Sequence, residues 1–344
     1  MTRLWIRTLT VRLLLVGAFL AVRAAEVRGE EPPPVSSPSP SPEAAPAPPI
    51  RDRFPPPDAP QAPRCATDTR GEVLQTVVRV VPSATAVLPA EFDGNHGDVS
   101  IFRGAIDVEG RRQLSATTSF LYALGYERSS YDFSDPDSLV PGAGRLLEST
   151  EIWRLAPGFL WRLPNGWGAA ATFDVRSSRA IGAGLDGSFT YGVTGGVRIP
   201  LGKIAISVGG SWESSLEGGG FFAPILAFSD NSTSGALRVN ARGSGLIFAY
   251  DLNDRWAVGL SVRYEPREYR LAKGDRIPEG IVADLRVPVG LDVEWKPSPH
   301  VSVTLSGGAS AYTEFRFEDK NGDKLRYLEA DPSPTFSLYV TLKF

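Results

Sequence analysis

The sequence contains one cysteine, Cys65, and two histidines, His96 and His300. A single cysteine forms no intrachain disulfide, and a cysteine-based zinc site needs several thiolates. Histidine-dependent catalysis would have to use one of only two positions, and a G-x-S-x-G nucleophile motif is missing as well. The chain therefore has few of the residues from which metal and nucleophilic centres are built, and we expect no cofactor.

The sequence also lacks an excess of either charge and any long apolar run beyond its N-terminus. Its 344 residues hold 36 Lys and Arg against 39 Asp and Glu, which gives a formal net charge of −3 and a pI of about 5.6. This balance gives no reason to expect a nucleic-acid partner. No segment shows a convincing apolar stripe of helical period.

The N-terminus has the three parts of a secretory signal peptide. Three arginines precede the ten apolar residues Leu13–Val22, and small residues follow them. A spanning helix needs roughly 20 apolar residues, so we prefer a signal peptide to a membrane anchor. We predict a signal peptide over residues 1–24, with cleavage after Ala24 or Ala25.

Proline dominates the next segment, residues 25–70. Glu31–Arg64 alone holds fourteen prolines among Ser, Ala and a few charges. Because such a segment cannot bury a core, we expect it to be disordered or in a polyproline II conformation and to act as a semi-stiff spacer. A peptide that binds a periplasmic partner is the alternative.

From residue 71 to residue 344 the sequence alternates with the period of a β-strand. Trp256–Tyr264 and Ala283–Trp295 each place large apolar residues on one face and mostly small or polar residues on the other. Tight turns alternate with long polar connections, as in outer-membrane barrels, which have short periplasmic turns and longer outer loops. The tight turns are Glu109–Arg111, Pro164–Gly166, Pro200–Gly202, Leu252–Asp254 and Pro297–Pro299, and the long connections include Arg128–Thr150 and Phe317–Pro334.

Six tryptophans follow the signal peptide, and by parity all six fall on the apolar face. Aromatic girdles at the two interfaces of a membrane barrel would produce this distribution. Four lie beside short turns and two at the opposite strand ends: Trp161, Trp167, Trp256 and Trp295, then Trp153 and Trp212.

These features predict an all-β fold, a transmembrane antiparallel up-and-down β-barrel of 12–14 strands over residues 71–344. The count depends on Ala241–Gly245, where the apolar residues change from odd-numbered to even-numbered positions. The segment is either an outer turn, which gives fourteen strands, or a bulge, which gives twelve. We favour fourteen. Either even count places both termini on the periplasmic side.

The C-terminal stretch Pro334–Phe344 alternates up to a final phenylalanine. It resembles the carboxy-terminal assembly signal of bacterial outer-membrane proteins, with Tyr339, Val340, Leu342 and Phe344 at the matching positions. This resemblance implies that the barrel assembly machinery recognises the last strand.

Two further stretches, Tyr126–Ser138 and Phe248–Leu271, resemble an uncharacterised bacterial family of outer-membrane β-barrel proteins, a domain of unknown function. The resemblance covers about Glu72 to Phe344. It implies a barrel surrounded by outer-membrane lipid, and it implies no activity.

Charged residues of both signs occupy the polar face of the predicted strands, one of which is Leu185–Arg198. Charges buried in protein need partners, whereas charges that line water need none and set selectivity. Two interpretations stay open: a narrow porin-like pore for passive passage of small solutes, and a structural or surface-interaction barrel with a closed lumen. We favour the pore, because frequent inward Gly, Ser and Thr leave space. The pore-lining candidates are Arg103, Asp107, Arg154, Asp174, Arg176, Asp186, Arg263, Asp284, Arg286 and Asp292.

Two other sites are weaker candidates. Asp319, Asn321 and Asp323 place oxygen ligands at alternate positions, which suits Ca²⁺, but the glycine of an EF-hand loop is misplaced, so we expect a polar turn. His96 lies in a predicted outer loop close to two aspartates and is the one candidate base for a surface hydrolase. We expect a solvated loop histidine there, and no enzyme activity.

Overall fold

The structure is a computed structural model that describes residues 76–94, 97–139, 147–163, 165–202, 204–230, 237–242 and 245–344. The predicted signal peptide, the proline-rich segment and His96 lie outside the described residues. The described part of the chain is all-β apart from one short helix. No helix in it is long and apolar enough to cross a membrane.

Sixteen strands form one sheet. The strands are β1 (Thr76–Glu91), β2 (Asp98–Gln113), β3 (Thr118–Phe133), β4 (Ser149–Arg162), β5 (Gly168–Ala180), β6 (Phe189–Leu201), β7 (Ile204–Ser214), β8 (Gly220–Asp230), β9 (Leu237–Arg242), β10 (Gly245–Asp251), β11 (Trp256–Arg263), β12 (Glu265–Arg270), β13 (Ile281–Ser298), β14 (Val301–Glu318), β15 (Lys324–Ala330) and β16 (Ser333–Lys343), and the helix α1 is Pro136–Leu139.

Antiparallel pairing follows chain order, and the last strand returns to the first. Each strand from β1 to β8 pairs with the next one along the chain. The strands β9, β10, β11, β13, β14 and β16 also pair in this order, and β16 pairs with β1 over Arg79↔Lys343 to Val87↔Thr335. β11 and β12 lie one after the other along β13, so together they count as one strand position of the barrel. In the same way β16 and β15 lie one after the other along β14. Fourteen positions result, because β9 and β10 are separate strands that meet at the predicted outer turn. The barrel prediction and its favoured count are confirmed.

One contact divides the barrel. The end of β12 also pairs with β5 in the parallel sense, at Arg270↔Arg179. A closed ring of nine strands results, formed by β1 to β5, β12, β13, β14 and β16. The remaining strands, β6 to β11, form a lobe beside this nine-stranded ring. β8 and β9 lie next to each other in the lobe.

The barrel has two distinct ends. Short connections such as residues 114–117 and 252–255 lie at the end that also holds both ends of the described chain, which we call the turn end. Longer connections such as residues 181–188 and 271–280 lie at the other end, which we call the loop end.

The outer surface carries an apolar belt. Large side chains such as Leu124, Phe173, Leu291 and Leu305 are exposed along several strands. All six tryptophans are exposed too, by 40–53%, which confirms their predicted outward position. A belt of this kind with flanking aromatic residues faces lipid in a transmembrane barrel.

Inside the nine-stranded ring, the loop end is filled by apolar side chains. Phe92, Tyr131, Tyr269 and Phe315 belong to one buried cluster, and their rings meet at centroid distances of 5.8 to 6.2 Å. Because they come from strands that are not neighbours, these rings can meet only across the interior. This end of the ring is therefore packed like the core of a soluble protein.

Several predicted elements need correction. The predicted long connection Arg128–Thr150 begins later, because β3 continues to Phe133. Glu109–Arg111 is not a turn but part of β2, and the connection to β3 follows at residues 114–117. The predicted long connection Phe317–Pro334 contains β15. β6 begins at Phe189 rather than at Leu185, so Asp186 lies in an exposed loop and does not line the lumen.

Candidate functional site in the lumen

Six charged side chains from four strands meet inside the nine-stranded ring, and we call them the ion-pair layer. They lie beneath the apolar cluster, where the strands carry alternating inward charges, and they comprise three arginines and three carboxylates. The members are Arg103 on β2, Glu127 on β3, Glu265 and Arg267 on β12, and Asp284 and Arg286 on β13.

Arg103 is the centre of the layer. Its side chain is 5% exposed and lies 3.1 Å from Glu127, 3.3 Å from Glu265 and 3.4 Å from Asp284. Its Nε also donates to the hydroxyl of Ser129 at 3.0 Å. β2 is separated from β13 by β1, β16 and β14, and from β12 by β3, β4 and β5. The bonds from Arg103 to Glu265 and Asp284 therefore cross the interior.

The other two arginines complete the pairing. Arg267 donates from Nε and Nη2 to the two oxygens of Glu127, at 2.9 and 3.1 Å, and from Nη1 to Glu265 at 2.9 Å. Arg286 donates to both oxygens of Asp284, and Asp284 also accepts from the Tyr131 hydroxyl at 2.8 Å. Paired, forked bonds of this type are the strongest that a guanidinium makes, and they offset the cost of burying the charges.

The layer closes the ring. A cavity of about 30 Å³ lies on its turn-end side, lined by Thr85, Ser261, Arg263, Ser306 and other residues. That volume is roughly one water molecule's share of liquid water. Among the described residues, this cavity at the ion-pair layer therefore has room for about one water molecule.

A second group of charges is solvated, and we call it the charge ladder. Arg154 on β4 contacts Asp174 on β5 at 2.5 Å, and Arg176 on β5 contacts Glu213 on β7 at 2.7 Å. Arg154 is 42% exposed and Glu213 is 45% exposed. Gly192 lies between Asp174 and Glu213 in the strand register and provides no side chain to cover them.

The remaining pore-lining candidates do not join one site. Asp107 on β2 pairs in register with Gly125 on β3, and Gly125 pairs with Arg154 on β4. Asp107 therefore extends the charge ladder by two strands. Arg263 lies 5.0 Å from the Tyr339 ring and donates to its hydroxyl. Asp292 accepts hydrogen bonds from Ser261 and Ser306.

Three members of the ion-pair layer, Glu127, Glu265 and Arg267, were not among the ten pore-lining candidates. All three lie at inward positions by simple parity, Arg267 with Glu265 and Glu127 with Ser129. Parity could therefore have found them. Their pairing depends on the approach of β12 to the opposite wall, which no local pattern encodes.

The C-terminal residues of the predicted assembly signal take different positions. Tyr339 contacts Arg263 in the lumen, whereas Phe344 is 71% exposed. Val340 and Leu342 pair with Val303 and Val301 of β14. Backbone bonds between Phe344 and Val78 join the two ends of the described chain at the seam.

Asp319, Asn321 and Asp323 form a turn. One carboxylate oxygen of Asp319 accepts the backbone N–H of Asn321 at 2.8 Å and of Asp323 at 2.9 Å. These bonds hold the pKa of Asp319 below its usual range. Among the described residues no group of three or more acidic, His or Cys side chains could hold a metal ion.

No protein-family model matches the chain, and no curated protein matches it. Its backbone is similar to those of bacterial outer-membrane proteins. An outer membrane channel from Pseudomonas putida F1 is 14% identical, with a TM-score of 0.39 over 79% of this chain and 96% of that chain. The translocator domain of the autotransporter NalP from Neisseria meningitidis is 14% identical, with a TM-score of 0.34 over 78% and 88%.

The P. putida toluene transporter TodX is 10% identical, with a TM-score of 0.37 over 78% of this chain and 89% of that chain. These similarities do not assign a function to this chain. The function proposed below is argued from the side chains of the lumen. Membership of one particular barrel family stays a prediction.

Proposed function

We propose that the chain is a bacterial outer-membrane channel through which small polar solutes diffuse. The turn end would face the periplasm and the loop end the outside. The observation that supports this function best is the charge ladder, since Arg154 and Glu213 are 42% and 45% exposed. In the ion-pair layer, by contrast, Arg103, Asp284 and Arg286 are at most 5% exposed. Charges that contact water set the selectivity of a pore by their field.

The passage runs along the wall of β4 to β8 rather than through the ion-pair layer. Next to the charge ladder, toward the turn end, the strand register aligns a row of small residues that leaves room at the wall. The row is Gly158, Thr172, Thr194, Ser211 and Ala223. The charge ladder itself balances two arginines with two carboxylates, so we expect little preference between anions and cations.

Single-channel conductance of the refolded protein in a planar lipid bilayer tests this function. We expect discrete conductance steps from the unmodified chain. Ser211→Trp places a large side chain in the small-residue row and should lower the conductance of each step. Ser130→Trp makes the same change at an exposed position of β3, away from the small-residue row, and should leave the conductance unaltered.

A silent bilayer with correctly folded protein would overturn the channel. The second candidate function, a structural or surface-interaction barrel with a closed lumen, would then be preferred. The buried ion-pair layer and the apolar cluster above it favour that candidate, because together they fill the nine-stranded ring. Deletion of residues 140–146, which leaves Tyr131, Phe133 and Leu139 in place, should then abolish partner binding without unfolding the barrel.

A further inference from the structure

The loop between β7 and β8, residues 215–219, lies against β12, and we call this loop the strap. The N–H of Leu216 donates to Glu268 Oε2 at 2.8 Å, and Arg270 Nη2 donates to the Leu216 carbonyl at 3.2 Å. The Leu216 side chain is buried. Along the sheet, β7 is separated from β12 by β6 and β5 in one direction and by β8 to β11 in the other. A loop after β7 that contacts β12 therefore crosses the loop end of the lobe.

A carboxyl pair forms the other contact of the strap. Glu318, the last residue of β14, is fully buried, and neither of its oxygens has a hydrogen-bond donor among the described groups. Glu217 of the strap packs against Gly322, in the turn that follows β14. This position brings its carboxyl group within hydrogen-bonding reach of Glu318. Two carboxyl groups bond to each other only when one of them carries a proton, because an ionised carboxylate is an acceptor only.

The surrounding charged groups do not supply a hydrogen-bond donor to Glu318 in place of that proton. Arg316 Nη1 lies 3.8 Å from Glu318 Oε1, while Arg316 Nε lies nearer to Glu314, at 3.3 Å. Glu268 on β12 adds a further negative charge. Lys324 on β15 is paired in register with Glu318, but its side chain is exposed.

Glu318 lies outside the membrane-spanning part of β14. It follows Val303, which pairs with the girdle residue Trp295, by fifteen residues, and roughly 9–11 strand residues cross the hydrocarbon. Burial, together with the hydrogen bond and the charge of Glu217, raises the pKa of Glu318 to about 8. The pair therefore keeps its proton at neutral pH and loses it as the pH rises through that value.

We propose that the strap is a pH-dependent closure of the loop end, held in place by a proton shared between Glu217 and Glu318. When the proton is lost, two adjacent carboxylates repel each other and the strap is released from β14. The effect on solute passage rests on the channel function proposed above, whereas the release of the strap does not.

Spin-label mobility measures the release directly. In a Cys65→Ser background, Gly219→Cys introduces one labelling site at an exposed position of the strap. With the protein in lipid vesicles, we expect the mobility of a nitroxide there to rise as the pH passes about 8. Glu318→Gln supplies a permanent N–H donor toward Glu217, so mobility should stay low at every pH.

The matched control is Glu91→Gln, which changes an exposed carboxyl at the same end of the barrel and should keep the transition. The proposal is overturned if the unmodified pair shows no transition or if Glu318→Gln still shows one. Conductance measured over the same pH range separates the two proposals. If the label is released but the bilayer is silent at every pH, the strap stands and the channel function fails.

Discussion

At the scale of single residues, Arg267 shows how the ion-pair layer is held together. It makes three hydrogen bonds to Glu127 and Glu265. Arg267→Ala leaves these two partly buried carboxylates with Arg103 as their remaining partner within the ion-pair layer. Since one partner of a buried pair is lost, we expect the free energy of unfolding to fall by about 3–5 kcal/mol. Urea unfolding in detergent micelles, followed by tryptophan fluorescence, measures the change.

A surface pair supplies the comparison. Arg79 lies 3.7 Å from Glu109, and both side chains are nearly half exposed. Arg79→Ala should cost at most about 1 kcal/mol, because exposed ion pairs contribute little. Equal losses for the two variants would contradict the assignment of Arg267 to a closed layer. Adding Glu127→Gln to Arg267→Ala should restore part of the lost stability, since it removes a partly buried carboxylate that has lost one of its two arginine partners.

The sequence predicted only part of this layer. Alternation placed Arg103, Asp284 and Arg286 on the inner face, and all three are buried there. It could not show whether those charges meet water or each other, because that depends on strands far apart in sequence. The solvated Arg154 and the buried Arg103 follow the same pattern and differ only in what lies opposite.

At the scale of the elements, the end of β12 is fixed by one side chain. Arg270 donates from Nε to the Gly187 carbonyl at 3.0 Å, from Nη1 to the Glu279 carbonyl at 2.8 Å and from Nη2 to the Leu216 carbonyl. These carbonyls belong to three different loops. We expect Arg270→Ala to free all three loops, because hydrogen bonds from a charged donor contribute about 1.5–3 kcal/mol each before solvent screening.

Limited proteolysis of the folded protein detects that change. Arg270→Ala should speed cleavage within residues 181–188, 215–219 and 271–280 and leave the melting temperature of the barrel nearly unchanged, because the antiparallel ladders are untouched. Lys273→Ala, at an exposed side chain of the same region, should leave cleavage as it is. Faster cleavage at only one of the three loops would show that Arg270 does not connect them.

The strands themselves were predictable where one periodicity ran unbroken. It failed in β14, where the register shifts between the β13 pairs of Arg286 and Pro288. Beyond that irregularity Phe315 and Phe317 fill the interior of the ring, whereas unbroken alternation from Val303 would place Glu314 and Arg316 there. A single extra residue reverses the faces of a strand, so a pattern read from one side of a bulge does not carry over to the other.

At the scale of the whole molecule, the barrel depends on the seam between β1 and β16. Seven register pairs join these strands, and backbone bonds from Val78 to Phe344 continue the ladder to the last residue. The aromatic ring of Phe344 contributes little to that closure, since the side chain is 71% exposed. Any role of the Phe344 side chain therefore lies in a contact outside the folded chain.

Recognition by the assembly machinery would account for such a residue, and a comparison inside and outside the cell tests it. We expect Phe344→Ala to refold in detergent micelles as well as the unmodified chain and to lose at most about 1 kcal/mol, because the change removes no buried contact. In cells the same variant should accumulate far less folded barrel in the outer membrane.

The control is Phe336→Ala, which truncates a phenylalanine of similar exposure in the apolar belt of the same strand. It should lose some stability in lipid and assemble normally in cells. If both variants assembled equally well in cells, Phe344 would have no role in recognition. If Phe344→Ala failed to refold in micelles as well, the phenylalanine would be a structural residue of the seam, and the defect in cells would need no partner to explain it.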